Sequence, residues 1–246
     1  MFFFYLVNPS LRAVKFKTKS PIVNGAFVST TSTVMGNVTI GANSSIWYGA
    51  IVRGDLNSVV IGDAVTVGDR SIIRSTDPTN HSPIDIGNNV LIGNGVTIDS
   101  GVSVGDGCKI GDAVTLHNGS KMEQKSMITT GSVLEPGSVV KTGEVWGGFP
   151  AKKLRALLPA EIEATSAEVA ENVRLACAHA EESAKTWQQI EQDEYDREQE
   201  SERSEYYYKR LTAEELSYKL GEQRGHMFPG RIFDSPLNEA SQKRIG

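Results

Sequence analysis

From Ile86 to Ala151 the apolar and polar positions repeat with a period of six: IGNNVL, IGNGVT, IDSGVS, VGDGCK, IGDAVT, LHNGSK, MEQKSM, ITTGSV, LEPGSV, VKTGEV, WGGFPA. Each hexad opens with a large apolar residue and usually places Gly or a polar residue second. Its fifth place is small, filled by Val, Ser or Cys, with Glu144 and Pro150 as departures. A six-residue period marks a parallel β-helix, in which each hexad makes one short strand and a corner and three hexads close a triangular coil. The pattern predicts that Ile86, Ile92, Ile98, Val104, Ile110, Leu116, Met122, Ile128, Leu134 and Val140 point inward. Stacked coils would bury them as apolar ladders, each strand bonding to the coils on either side at about 4.8 Å. The small fifth residue lets the chain turn the corner without a clash.

The repeat extends toward the N-terminus, with hexads opening at Ile22, Val28, Val34, Ile40, Ile46 and Val52. Through LNSVV the register slips by three residues, and it resumes at Ile61, Val67 and Ile73. A second interruption, TDPTNHSPID from Thr76 to Asp85, reads as a Pro- and Asn-containing loop thrown off a corner. Twenty hexads are in view, enough for nearly seven coils, a prism roughly 30 Å tall at that spacing. The expected architecture is therefore all-β, a hexapeptide-repeat β-helix over residues 22–151. After Pro150 the period changes. From Pro159, Ile162, Val169, Val173, Ala176, Ala180, Ala184 and Trp187 recur three, four or seven apart, which predicts an amphipathic helix with Pro in its first turn, within a segment 152–195. Its alanine-rich stripe suits close packing along a prism side or against a sister helix. Residues 196–246 form a charged extension and a Gly- and Pro-punctuated tail; the dense charge of EQDEYDREQESERSE fits a solvated helix or a disordered segment.

Composition narrows the class. Hydrophobic content of 39% with 24 glycines suits a β-rich globular chain, and no run approaches the roughly 20 apolar residues of a spanning helix. A net charge of −5 with no concentrated basic face argues against nucleic acid as a partner. Cys108 and Cys177 show no CxxC spacing, and Cys108 fills a small fifth place, a packing role in a reducing compartment. Residues 1–21 are basic, with Arg12, Lys15, Lys17 and Lys19 and no acid before Asp55. They read as a mitochondrial targeting signal, the alternative being an ordinary basic strand.

IWYGAIVRGDLNSVVIGD, around Arg53, Gly54 and Asp55, resembles the signature of the γ-class carbonic anhydrases. GEVWGGFPAKKLR resembles that family's closing segment, and NVRLACAHAEESAK the C-terminal helix of its mitochondrial members, so that the resemblance covers about Ile22 to Glu191. It implies a left-handed prism and a trimer in which three histidines hold zinc at the boundary between two subunits. The segments that carry those histidines in the family read here IIRS and IGNGVTID, which puts Arg74, Asn94 and Asp99 at the three positions. The family's Asn and Gln partners are likewise replaced by Thr66 and Gly68, while Asp69 remains. A catalytic zinc needs three protein ligands and an open place for water. Arginine stays protonated and offers no lone pair, Asn is a poor ligand, and one carboxylate does not hold the ion. No catalytic residue, metal or cofactor is therefore expected, and the chain is expected not to be an enzyme.

If the loop after Ser75 is an insertion, the hexads of Ile73 and Ile98 lie one coil apart, and Arg74 and Asp99 share the second place. They are expected to pair where the resemblance puts zinc, with Asn94 bonding across the subunit boundary and Arg53 and Asp55 forming ion pairs between subunits. Arg53, Asp55, Asp69, Arg74, Asn94 and Asp99 are thus the expected interface residues. Of the histidines, His81, His117, His179 and His226, no pair has ligand spacing, and each reads as a surface or capping residue. The resemblance further implies a structural subunit of respiratory complex I. It would join two related γ-carbonic-anhydrase-like chains in a heterotrimer, against membrane-arm subunits, peripheral to the matrix side of the mitochondrial inner membrane. The alternatives are an acyltransferase using CoA with His117 as base, and a carbonic anhydrase chain contributing to a shared zinc site.

Overall fold

The computed structural model describes residues 13–16, 19–75 and 82–207, and the chain divides into two compact units between Ala184 and Lys185. The first unit is a parallel β-solenoid of about seven turns. One face carries an eight-stranded sheet: Phe27–Val28, Ser45–Ile46, Thr66–Val67, Leu91–Ile92, Lys109–Ile110, Met127–Ile128 and Glu144–Gly148 are parallel, and Ala151–Ala156 closes it antiparallel. The other two faces share a twelve-stranded sheet, because Thr33–Ile40 and Ile51–Ile61 are long strands that run round a corner and belong to both. One of these faces continues through Ile72–Arg74, Thr97–Ile98, Thr115–Leu116 and Val133–Leu134. The other continues through Ile84–Ile86, Ser103–Val104, Lys121–Met122 and Val139–Val140.

The inward ladder is the one the hexads predict. Ile86, Ile92, Ile98, Val104, Ile110, Leu116, Met122, Ile128, Leu134 and Val140 are all buried, as are Val28, Val34, Ile40, Ile46, Val52, Ile61, Val67 and Ile73. Ile22 departs from it: it is 56% exposed, and Val23 takes the inward place opposite Ile40. A one-residue slip of a strand exchanges its two faces, and among the described residues the strand Ile22–Val23 pairs on one side only, with Thr39–Ile40. Trp146 sits against the last rung of the core and donates its indole N–H to Glu144 Oε2 at 2.8 Å, giving the exposed end of the prism an amphipathic plug. Both register slips fall on one corner. The extra residues of Ile51–Ile61 bulge opposite Gly36–Val38, and the chain between Ser75 and Ser82 leaves from the same edge. Of the predicted loop, residues 76–81 lie outside the described residues.

The corners obey two rules. The fourth place of each hexad from Asn89 to Gly143 adopts a left-handed backbone, φ between 51° and 71°. Most hexads place Gly there, where a Cβ would be crowded by the following carbonyl. The third place carries Asp or Asn whose Oδ1 accepts an amide N–H from the coil before it: Ala42 to Asp63, Asp63 to Asn88 and Asn88 to Asp106, and on the next corner Tyr48 to Asp69, Asp69 to Asn94 and Asn94 to Asp112. These bonds satisfy corner amides that the flat ladders leave over. Cys108, in a fifth place, is buried, and burial pushes its thiol pKa up.

Helix α1 (Pro159–Ala184) runs back along the eight-stranded face. It buries Val169, Ala176 and Ala180, and the two alanines let it approach Phe27 and Trp47 closely. Its start is fixed by Glu161, which accepts the Leu158 N–H at 2.9 Å and chelates the Arg155 guanidinium at 2.7 Å on each oxygen. The predicted helix stops earlier than its apolar stripe. Trp187 is 72% exposed and opens a second helix, α2 (Trp187–Tyr207), in the second unit. A capping box explains the break: Thr186 Oγ1 accepts the Gln189 N–H at 3.4 Å while Gln189 Oε1 accepts the Thr186 N–H at 2.8 Å. The charged stretch 191–205 is helical, within α2. Among the described residues no helix is long and apolar enough to cross a membrane.

Gly107→Ala meets nothing closer than Lys125 Cγ at 3.6 Å, so its cost is conformational; urea unfolding should show a loss of about 1 kcal/mol. The Arg155 guanidinium, with the Leu158 amide, lowers the Glu161 carboxyl from the ordinary 4.5 to about 2. A depressed carboxylate pKa stabilises the fold above the unfolded value and loses that contribution as pH falls toward the folded one. Melting temperature should therefore fall between pH 4.5 and pH 2 more steeply in the parent than in Glu161→Gln.

Candidate functional site

The second places of successive hexads form an outward column on one face. Arg53 lies opposite Arg74, Ile73 opposite Ile98, and Ile98 opposite Leu116, so Arg53, Arg74, Asp99 and His117 follow one another coil by coil. The predicted pair is present: Arg74 donates its Nε–H to Asp99 Oδ1 at 3.3 Å. The other carboxylate oxygen, Oδ2, lies 3.2 Å from His117 Nδ1. A carboxylate only accepts, so His117 holds its proton on Nδ1 toward Asp99 and turns Nε2 outward. Asp99 is 9% exposed, with both oxygens engaged.

The sequence reading of His117 as a surface or capping residue does not include this contact. The signal was available: 18 residues, three hexads, separate Asp99 from His117, one uninterrupted coil. His179 departs from the same expectation. On α1 its ring packs edge-on to Trp47 with centroids 5.0 Å apart, and its Nδ1 lies 2.9 Å from Tyr48 Oη. Nothing in the spacing could have shown this, because it depends on where the helix docks. His81 and His226 lie outside the described residues.

The remaining interface candidates engage partners within the chain. Arg53 Nη2 lies 2.5 Å from Asp55 Oδ2, two residues along the same strand. Asp55 Oδ1 is buried and has no hydrogen-bond partner among the described residues. Asn94 is a rung of the corner ladder, its Oδ1 accepting the Asp69 N–H at 2.8 Å, and Asp69 Oδ1 accepts the Tyr48 N–H at 2.9 Å. Arg74 and Asp99 therefore share one face, whereas Asn94 belongs to a corner of the eight-stranded face. Among the described residues no three His, Cys, Asp or Glu side chains are grouped to hold a metal ion.

Arg74 and His117 have side chains 44% and 42% exposed in the single chain. Solvent screens such pairs, and a double-mutant cycle of Arg74→Ala with Asp99→Asn on the isolated chain should give a coupling of about 1 kcal/mol or less. A larger value would mean that the column is desolvated without a partner.

Residues 83–118 match the family model described as bacterial transferase hexapeptide (six repeats). The chain is similar to a solved hexapeptide transferase family protein from Anaplasma phagocytophilum, with 30% identity and a TM-score of 0.64, covering 68% of this chain and 96% of that one. It is 36% identical over 178 residues to γ carbonic anhydrase 2, mitochondrial, of Arabidopsis thaliana, covering 70% of this chain and 63% of that protein, slightly under two thirds of its length. To γ carbonic anhydrase 3, mitochondrial, of the same plant it is 45% identical over 178 residues, which is 70% of this chain and 68% of the relative. With a hexapeptide solenoid, a docked C-terminal helix and this degree of identity along it, the chain belongs to the γ-carbonic anhydrase family.

Proposed function

We propose that this chain is a non-catalytic γ-carbonic-anhydrase-like structural subunit of mitochondrial respiratory complex I. In this reading it forms a heterotrimer with two related chains, peripheral to the matrix side of the inner-membrane arm. The observation that carries it is the state of Asp99: one oxygen accepts from Arg74 and the other from His117. The resemblance places zinc histidines at Arg74, Asn94 and Asp99. A guanidinium there repels a dication and has no lone pair to offer, Asn94's oxygen is engaged in the corner ladder, and the donor set does not fit zinc. The mitochondrial relatives in Arabidopsis support the compartment. The buried, unpartnered Asp55 Oδ1 supports an interface that brings a donor to it.

A second reading has one observation in its favour. Asp99 orients His117 with Nε2 outward, the arrangement of a general base, and the Anaplasma relative is a hexapeptide transferase family protein. That would make the chain an acyltransferase drawing on CoA.

Native separation of respiratory membranes followed by mass spectrometry should find the chain in complex I. Its absence there would end the structural reading. In the assembled trimer the boundary desolvates the column, and losing one partner of a desolvated pair costs about 3–5 kcal/mol, so Arg74→Ala should release the chain from the complex more readily than Asp99→Asn. Retention of CoA by the purified chain, with acyl transfer abolished by His117→Ala, would favour the second reading instead.

A further inference from the structure

The last strands of the prism form a hairpin. Glu144–Gly148 and Ala151–Ala156 pair antiparallel with Gly148 opposite Ala151, and Phe149 and Pro150 make the turn. Ala151–Ala156 has no strand on its far side among the described residues, so it is the outer rim of the eight-stranded face. Three large apolar side chains stand out along this rim. Phe149 is 82% exposed at the turn, and Leu158, just past the strand, is 57% exposed. Leu154, 60% exposed, is the extra residue of a bulge, since Arg155 and Lys153 take the places opposite Val145 and Trp146. A bulge re-aims the side chain it carries. No other ten-residue stretch among the described residues leaves three large apolar side chains this exposed, and such a cluster marks an interaction surface.

An independent feature says what covers it. Between Lys121 and Ala160 the chain has six Lys and Arg against three Asp and Glu, in a protein of net charge −5. Lys153 and Arg155 are held by Glu144 and Glu161. Lys125, Lys141 and Lys152 are exposed and form no ion pair among the described residues. The rim therefore combines apolar anchors with unneutralised positive charge.

We propose that this rim docks on an anionic lipid surface. Phe149, Leu154 and Leu158 enter the headgroup layer, and Lys125, Lys141 and Lys152 face its phosphates. The charge selects this occupant over the others. A second copy meeting the same rim would set these lysines against their own kind, and an added β-strand is discouraged by Lys152, Lys153 and Arg155 along the open edge. A lipid surface needs no strand register, buries the apolar side chains and supplies the negative charge. Among the described residues no helix is long and apolar enough to cross a membrane, so the contact these residues make is peripheral. The inference goes beyond membership of complex I and does not depend on it. A chain recovered in that complex but indifferent to lipid would end this proposal alone, and a lipid-binding chain absent from the complex would end only the other.

The test is co-sedimentation of the full chain with vesicles of phosphatidylcholine alone and of phosphatidylcholine with about a third phosphatidylglycerol. The chain should sediment with the anionic vesicles and stay in solution with the neutral ones. Phe149→Ser and Leu158→Ser should each weaken binding about ten-fold, and Lys141→Gln and Lys152→Gln about five-fold each. These side chains stand in solvent, so circular dichroism should be unchanged. Ile22→Ser, at the opposite end of the prism and 56% exposed, should leave binding as it is. Failure to bind the anionic vesicles, equal binding to both kinds, or a loss in Ile22→Ser as large as in Phe149→Ser would each overturn the proposal.

Discussion

Coil-to-coil backbone pairing is the constraint from which the rest of the molecule follows. Each strand amide is bonded to the coil above or below, as in Thr97 N to Val114 O at 2.8 Å and Asp99 N to Leu116 O at 3.0 Å. Such bonds cannot be left unmade in a packed interior, so a residue's height along the prism and the face it occupies are fixed together. Every side chain then has a defined neighbour one coil away, inward or outward. Inward, this yields a continuous apolar column. Outward, it yields ladders whose chemistry depends only on which residues fall in the same hexad place.

The charged column illustrates how strict that rule is. Arg53 and Arg74 are direct neighbours across the ladder, a like-charge pairing that opposes folding. Each is compensated separately, Arg53 by Asp55 on its own strand and Arg74 by Asp99 on the next coil. Asp99 then orients His117 on the coil beyond. A one-residue slip of the strand Thr97–Ile98 against its neighbours would turn Asp99 inward and abolish the column.

The helix imposes a second, weaker constraint. Ala176 and Ala180 set how close α1 comes to Phe27 and Trp47, and that separation leaves an open cleft further along, where Glu168 and Asn172 face the corner ladder. The corner rungs thus do two things at once: they satisfy the chain's own amides, and they line this open cleft between helix and prism. One side-chain type at the third place serves fold and surface chemistry together.

Residue spacing by itself determined the solenoid, its inward ladder and the Arg74–Asp99 pair, because a rigid six-residue period converts sequence distance into spatial distance. It also carries two further signals: the 18-residue step from Asp99 to His117, and the Asp and Asn recurring in the third place. The capping box at Thr186 was equally local, and it divides what the apolar stripe presents as one helix. Ile22 departs from the hexad pattern where, among the described residues, its strand is held by a ladder on one side only. What only the tertiary structure decided is where α1 lies on the prism, and with it the setting of His179, the burial of Thr66 and the cleft. A helix docks through apolar burial, which is non-directional, so its stripe shows that it packs but leaves open which coils it meets.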